Sequence, residues 1–142
     1  MGMLRTLFVG MVLFGGIAQA ASLELHLVSS CGGSDKPYLL VGTTHEVCLA
    51  PDVVIDDGGV VKAQRYPVIN KVIVEITPAA TDKLYAATEN NIGKELAVLF
   101  RGKLIFKAPI TDSLKLDKFQ LLLNNAPEEV DALVDAFPGP KT

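Results

Sequence analysis

The sequence is poor in the residues from which most catalytic sites are built. Two histidines and two cysteines occur in 142 residues. A Ser-His-Asp set needs an activated histidine, and only His26 and His45 are available. There is no G-x-S-x-G elbow, no P-loop and no G-x-G-x-x-G, which removes the usual signatures of acyl transfer and of nucleotide binding. His45-Glu46 begins like H-E-x-x-H, but Leu49 stands where the second histidine belongs. His26 falls on the polar side of an alternating run and is expected to be solvated, and His45 is expected in a loop. An excess of basic charge is also missing. Thirteen Lys and Arg against sixteen Asp and Glu give a net charge of −3, which argues against nucleic acid, because phosphate binding needs clustered cations. Past the first twenty residues no apolar run approaches the about 20 residues of a membrane-spanning helix. Internal repeats, low-complexity tracts and linkers are absent as well. The expectation is a non-enzymatic single domain with no catalytic residues, no metal and no cofactor.

What is present begins with an export pattern. Arg5 supplies a short positive region, Leu7 to Ile17 an apolar one, and Ala18-Gln19-Ala20 the small-x-small pattern of a cleavage site. Residues 1–20 are therefore expected to be a cleavable signal peptide and residues 21–142 one domain, periplasmic or secreted. Val28-Ser29-Ser30-Cys31 loosely resembles a lipidation signal, but Glu24 and His26 interrupt the apolar run that would have to lead into the cysteine.

Cys31 and Cys48 form an isolated pair, and in an oxidising compartment such a pair usually forms a disulfide. Closing a loop of that size stabilises by about 3 kcal/mol in the chain-entropy view. The rival is a zinc set of His26, Cys31, His45 and Cys48. Structural zinc sites use paired short spacings, and only the His45–Cys48 offset is short.

Hydrophobic periodicity gives the elements. Ser22 to Val28 alternates, with Leu23, Leu25 and Leu27 on one side, so it reads as a half-buried strand. Tyr38 to Val41 and Glu46 to Leu49 are short apolar runs, the second ending at Pro51. Asp56-Asp57-Gly58-Gly59 is a turn between Val53–Ile55 and Val60-Val61. Val72 to Thr77 alternates again. Thr77-Pro78 opens a helix as N-cap and first-turn proline, with Ala80, Leu84, Ala87 and Thr88 on one face and Gly93 as its stop. Leu96–Phe100 and Leu104–Ala108 form a hairpin across Arg101-Gly102. Phe119 to Leu123 is a last strand. Asn125 and Glu128 have capping-box spacing ahead of a helix carrying Val130, Leu133, Val134 and Phe137. The fold class expected is α+β, a mostly antiparallel sheet with two helices packed on one face.

Three charged clusters invite a functional reading. Asp56 and Asp57 could hold calcium, but Asp-Gly is common turn chemistry and the EF-hand spacing is missing. Glu128 and Glu129 suit a helix N-terminus. Arg101, Lys103 and Lys107 make a basic strip on the hairpin, which can attract an anionic partner or simply keep an edge from pairing.

One stretch resembles a known family. Thr88-Glu89-Asn90-Asn91-Ile92-Gly93-Lys94 leads into a strand, and Gly102-Lys103-Leu104-Ile105-Phe106-Lys107-Ala108-Pro109-Ile110 follows. This is similar to the head subdomain of the first large periplasmic domain of SecD, the protein-export accessory subunit. Lys118-Phe119-Gln120-Leu121 and Pro127-Glu128-Glu129-Val130 continue the pattern, so the resemblance runs from about residue 50 to 137. Arg101 replaces the family's usual Asp before Gly. Thr111–Asp117 lacks its paired glycines, and Leu122-Leu123-Asn124 replaces a Gly-containing segment. The resemblance implies contact with a translocating polypeptide. It does not carry over proton coupling, which in that family belongs to membrane helices not found in this sequence. The resulting expectation is a binding domain that contacts polypeptide and is linked to protein export, or else an adaptor for one folded envelope protein. Binding is expected through the Leu96–Ile110 hairpin and the loop Thr111–Asp117, with Arg101, Lys103, Ile105 and Lys107 as the candidate residues and an added strand on the hairpin edge as the mode.

Overall fold

The computed structural model describes residues 23–32 and 36–139. The signal-peptide expectation falls outside them. Among the described residues are eight strands and two helices, in the order β1 (Leu23–Ser29), β2 (Lys36–Leu39), β3 (Glu46–Ile55), β4 (Val60–Arg65), β5 (Lys71–Ile76), α1 (Pro78–Glu89), β6 (Glu95–Phe100), β7 (Lys103–Pro109), β8 (Lys118–Leu122) and α2 (Glu129–Ala136). The α+β class holds. The strands divide between two antiparallel sheets, β2-β3-β1-β6-β7 and β4-β5-β8.

The chain crosses from the first sheet to the second at Asp56–Gly59. Asp56 accepts a bond from the Gly58 amide at 3.0 Å, and Asp57 Oδ1 accepts one from the Leu23 amide at 2.7 Å. Both carboxylates thus serve the turn and its attachment to β1. Strand β3 does not stop at Pro51. Three residues, Ala50 to Asp52, bulge opposite Leu27, where the β1–β3 register jumps from His26↔Val53 to Val28↔Leu49. Proline has no amide to donate and is tolerated at such a bulge.

That bulge corrects the reading of His26, which is 6% exposed, not solvated. Its strand is central, and the bulged Ala50 carbonyl turns toward the ring. His26 Nδ1 lies 2.8 Å from Ala50 O and Nε2 2.8 Å from Glu24 Oε1. A carbonyl only accepts, so Nδ1 carries a proton.

Helix α1 begins as expected, with Thr77 Oγ1 accepting from the Ala80 amide. It ends at Glu89, four residues short of Gly93. The Asn90 and Asn91 side chains donate to the Ala86 and Ala87 carbonyls and satisfy the last turn early. Helix α2 has no side-chain cap. Asn125 is used elsewhere: its amide donates to Val41 O at 2.9 Å and Ile105 O at 3.0 Å.

Two hydrophobic clusters result. The larger fills the space between the sheets and helices and includes Leu25, Val74, Leu84, Phe100, Leu121 and Leu133. The smaller lies on the other face of the first sheet and holds Val47, Leu49, Ala97, Leu99 and Leu104, with Val28, Tyr38 and Leu40 against it. The bridge of Leu40 to Leu104 and the Val41 amide bond to Leu104 O at 2.9 Å bring the end of β2 onto β7. The disulfide Cys31–Cys48 ties the end of β1 to β3 beside this cluster.

Candidate binding site

The hairpin turns at Arg101 and Gly102, whose φ angles of 52° and 81° suit a tight two-residue connection. Its four candidate residues meet different fates. Arg101 is exposed and stacks on the Phe100 ring, 4.8 Å from its centre. Lys103 pairs with Glu129, a carboxylate only 5% exposed at the start of α2. Lys107 Nζ pairs with Glu95 Oε2 at 2.8 Å on the neighbouring strand. Ile105 is fully buried. Both lysines therefore already hold internal carboxylates, a use that their spacing in sequence does not reveal.

A bulge decides where this part of β7 points. Val98 pairs with Phe106 and Leu99 with Leu104, leaving Ile105 as the extra residue. Leu104 stays in the smaller cluster, while Ile105 and Phe106 both turn toward the larger one. The edge here is occupied: Leu104 O accepts from the Val41 amide and Ile105 O from Asn125.

The face of the same hairpin is open. Leu96, Val98, Phe106 and Ala108 form one wall of a cleft of about 160 Å³ whose opposite wall is Phe119 and Leu121 on β8. Leu25 and Leu84 form part of the lining, and Pro109, Ile110 and Leu114 complete it. The loop after β7 is held against α1. Buried Thr88 donates to Leu84 O and accepts from the Leu114 amide, both at 2.8 Å, and Thr81 donates to Leu116 O at 2.8 Å. Thr88 thus positions Leu114 on the rim.

The lining has no ionisable side chain, and Gln120 is its polar member. The cleft can bury apolar groups, but it holds no acid, base or nucleophile. Its volume suits one or two side chains, since a cavity of about 150 Å³ holds a benzene-sized group. A drug-sized ligand or organic cofactor needs about 300 Å³ or more. The hairpin and the 111–117 loop, expected from the sequence to bind, contribute residues from Leu96 to Ile110 and Leu114 to this cleft. The opposite wall was not legible, because nothing in the sequence pairs Phe119 with Phe106. The zinc set is not assembled. Cys31 and Cys48 are bonded to each other, and His26 faces Ala50 O and Glu24. Among the described residues no helix is long and apolar enough to cross a membrane.

No family model and no curated protein matches the chain. Solved structures share its fold. A structure of SecDF, a membrane component that enhances protein export, superposes with a TM-score of 0.61 at 17% identity, over 88% of this chain and 65% of that one. A crystal structure of SecDF in a super-membrane-facing form gives a TM-score of 0.61 at 16% identity, over 80% of this chain and 18% of that one. The chain thus spans less than two thirds of the first and less than a fifth of the second. The resemblance to a SecD domain is borne out as a likeness of fold.

Proposed function

We propose that this domain is a non-catalytic binding module that holds an apolar stretch of polypeptide in the cleft between the β6–β7 face and β8, outside the cytosol and in connection with protein export. The cleft is the observation that carries this. Its lining is almost wholly apolar and open to solvent. A hollow lined in this way is complementary to one or two apolar side chains. The export pattern at the N-terminus, the disulfide and the fold shared with SecDF support the compartment and the process. In this reading the hairpin contributes its face, not its edge, as the contact surface.

Titration with a permanently unfolded, alkylated protein and with the same protein in its native form tests this. Only the unfolded form should bind, and Leu114→Ser should weaken it about tenfold, the loss expected from removing one buried aliphatic contact. Equal binding of both forms, or indifference to Leu114→Ser, contradicts the proposal.

An adaptor for one folded partner is the second reading. It is favoured by the turn between β4 and β5, where Val68 and Ile69 are 46% and 78% exposed. Capture of one stoichiometric folded protein, lost in Ile69→Ser and kept in Leu114→Ser, would support it.

A further inference from the structure

The end strands of the two sheets are treated unequally. At β4 the Ala63 amide donates to Phe137 O at 2.8 Å, and Gly139 lies against the Lys62 side chain. At β7 Val41 and Asn125 take up the Leu104 and Ile105 carbonyls, and Pro109 closes the strand. Strand β2 is four residues long and includes Pro37, which has no amide to offer. These are common ways of keeping an edge from pairing with another chain.

Strand β8 contains no proline, carries Lys118 as its one charged residue, and among the described residues no backbone segment bonds to its outer edge. It pairs with β5 through Leu121 opposite Val72 and Phe119 opposite Val74. Leu123 N to Asn70 O at 2.7 Å and Ile76 N to Asp117 O at 2.9 Å extend the ladder at either end. Residues 117, 119, 121 and 123 therefore spend their backbone groups on β5. In an antiparallel ladder the alternate residues face the other way, so the amides and carbonyls of Lys118, Gln120 and Leu122 point outward. Among the described residues no backbone hydrogen bond reaches them. This edge also borders the cleft. Phe119, Gln120 and Leu121 are consecutive, yet all three line it. Successive strand residues point to opposite faces, so a run of three is what the edge of a strand presents to a neighbouring cleft.

We infer that the ligand enters as an added strand on β8, its backbone bonded to Lys118, Gln120 and Leu122 and alternate side chains placed in the cleft. This rests on the proposed binding of polypeptide and specifies its mode. The occupant is a short extended segment with apolar residues two apart and an acidic residue beside them. Amides and carbonyls alternating at strand spacing are matched by another extended backbone. Lys115 lies over the Tyr85 ring just before β8 and Lys118 is exposed on the strand's outer face. Among the described residues neither is paired with a carboxylate, so an acidic flank on the added strand complements the start of β8.

The test uses a fluorescent heptapeptide with alternating Leu and Thr between terminal Glu residues, followed by anisotropy with the full chain. Two further versions carry N-methyl groups on one or the other alternate set of amides. One methylated set should bind at least about tenfold more weakly, because it removes the bonds to β8. The other should bind within about twofold of the parent peptide. On the protein side, Gln120→Pro deletes an outward amide without touching the β5 ladder, and it should weaken the parent peptide while circular dichroism stays unchanged. Equal affinity of both methylated sets overturns strand addition but leaves apolar capture standing, and it does so whether or not the proline variant folds. Failure of the parent peptide to bind overturns the proposed function as well. Self-association that Gln120→Pro abolishes, with no peptide binding, would assign the edge to a second copy of the chain and overturn the inference.

Discussion

The two faces of the first sheet carry similar residues and are finished differently. On one, Leu49, Ala97, Leu99 and Leu104 are sealed beneath Leu40 and beside the Cys31–Cys48 bond. On the other, Leu96, Val98, Phe106 and Ala108 end at an open cleft. Hydrophobicity does not separate the two, since both sets are aliphatic or aromatic and both alternate along the same strands. What separates them is cover. The sealed face is closed by a short segment returning from β2, pinned by Val41 to β7 and by Asn125 to both. The open face packs into the larger cluster over most of its area, and only where β8, Leu84 of α1 and Leu114 surround it is a gap left. Truncation on the sealed face should therefore cost stability without touching binding, and truncation at the rim of the open cleft should cost binding.

Leu104→Ala should have the largest effect. The side chain is fully buried under Leu40, and truncation should cost about 2–5 kcal/mol, read from urea unfolding midpoints. A cost under 1 kcal/mol would mean that the sealed face is loosely packed, and the contrast would collapse. Cys31→Ser should come next. The bond spans 17 residues, so its loss should cost about 3 kcal/mol while circular dichroism retains the strand signal. Gly42→Ala probes the lid. Gly42 has a φ of 80°, and a Cβ there would lie 2.0 Å from Asn125 O. The lid would have to move, at about 1–3 kcal/mol, and amide exchange at Val41 should quicken.

Much of this framework was legible in the sequence. Thr77-Pro78 and Arg101-Gly102 are local signals whose physics is complete within four residues, and both elements formed where they pointed. The cysteine pair was equally readable, because so few other partners exist. The misreadings share a cause. Asn125 has the spacing of a helix cap, yet it bonds Val41 and Ile105, 84 and 20 residues away. His26 looks polar-faced until the Ala50 bulge turns a carbonyl toward it. Lys103 and Lys107 look like a free strip until Glu129 and Glu95 arrive from other elements. Each depends on contacts between distant segments that periodicity does not encode. The cleft itself joins Leu25 to Leu121, so only its hairpin and loop portion was visible beforehand.

The smaller effects sharpen the contrast from the other side. Leu114→Ser should reduce peptide affinity about tenfold yet change stability by less than about 1 kcal/mol, because Leu114 is half-buried on an open rim. An unfolding midpoint that drops as far as that of Leu104→Ala would show the rim to be part of the core. Lys107→Thr should do least. Its ion pair with Glu95 is partly exposed, and such pairs contribute about 0–1 kcal/mol. Peptide affinity should not change, and sedimentation should match that of the parent chain, since Val41 and Asn125 still occupy the neighbouring Leu104 and Ile105 carbonyls.

Amide chemical-shift mapping of the labelled domain during titration with the heptapeptide tests the central claim most directly. Binding in the cleft predicts that the largest shifts fall on Phe106, Ala108, Leu114 and Phe119 to Leu121, with Ala97, Leu99 and Leu104 on the sealed face unmoved. Shifts concentrated instead at Arg101 and Lys103, or at Val68 and Ile69, would contradict it.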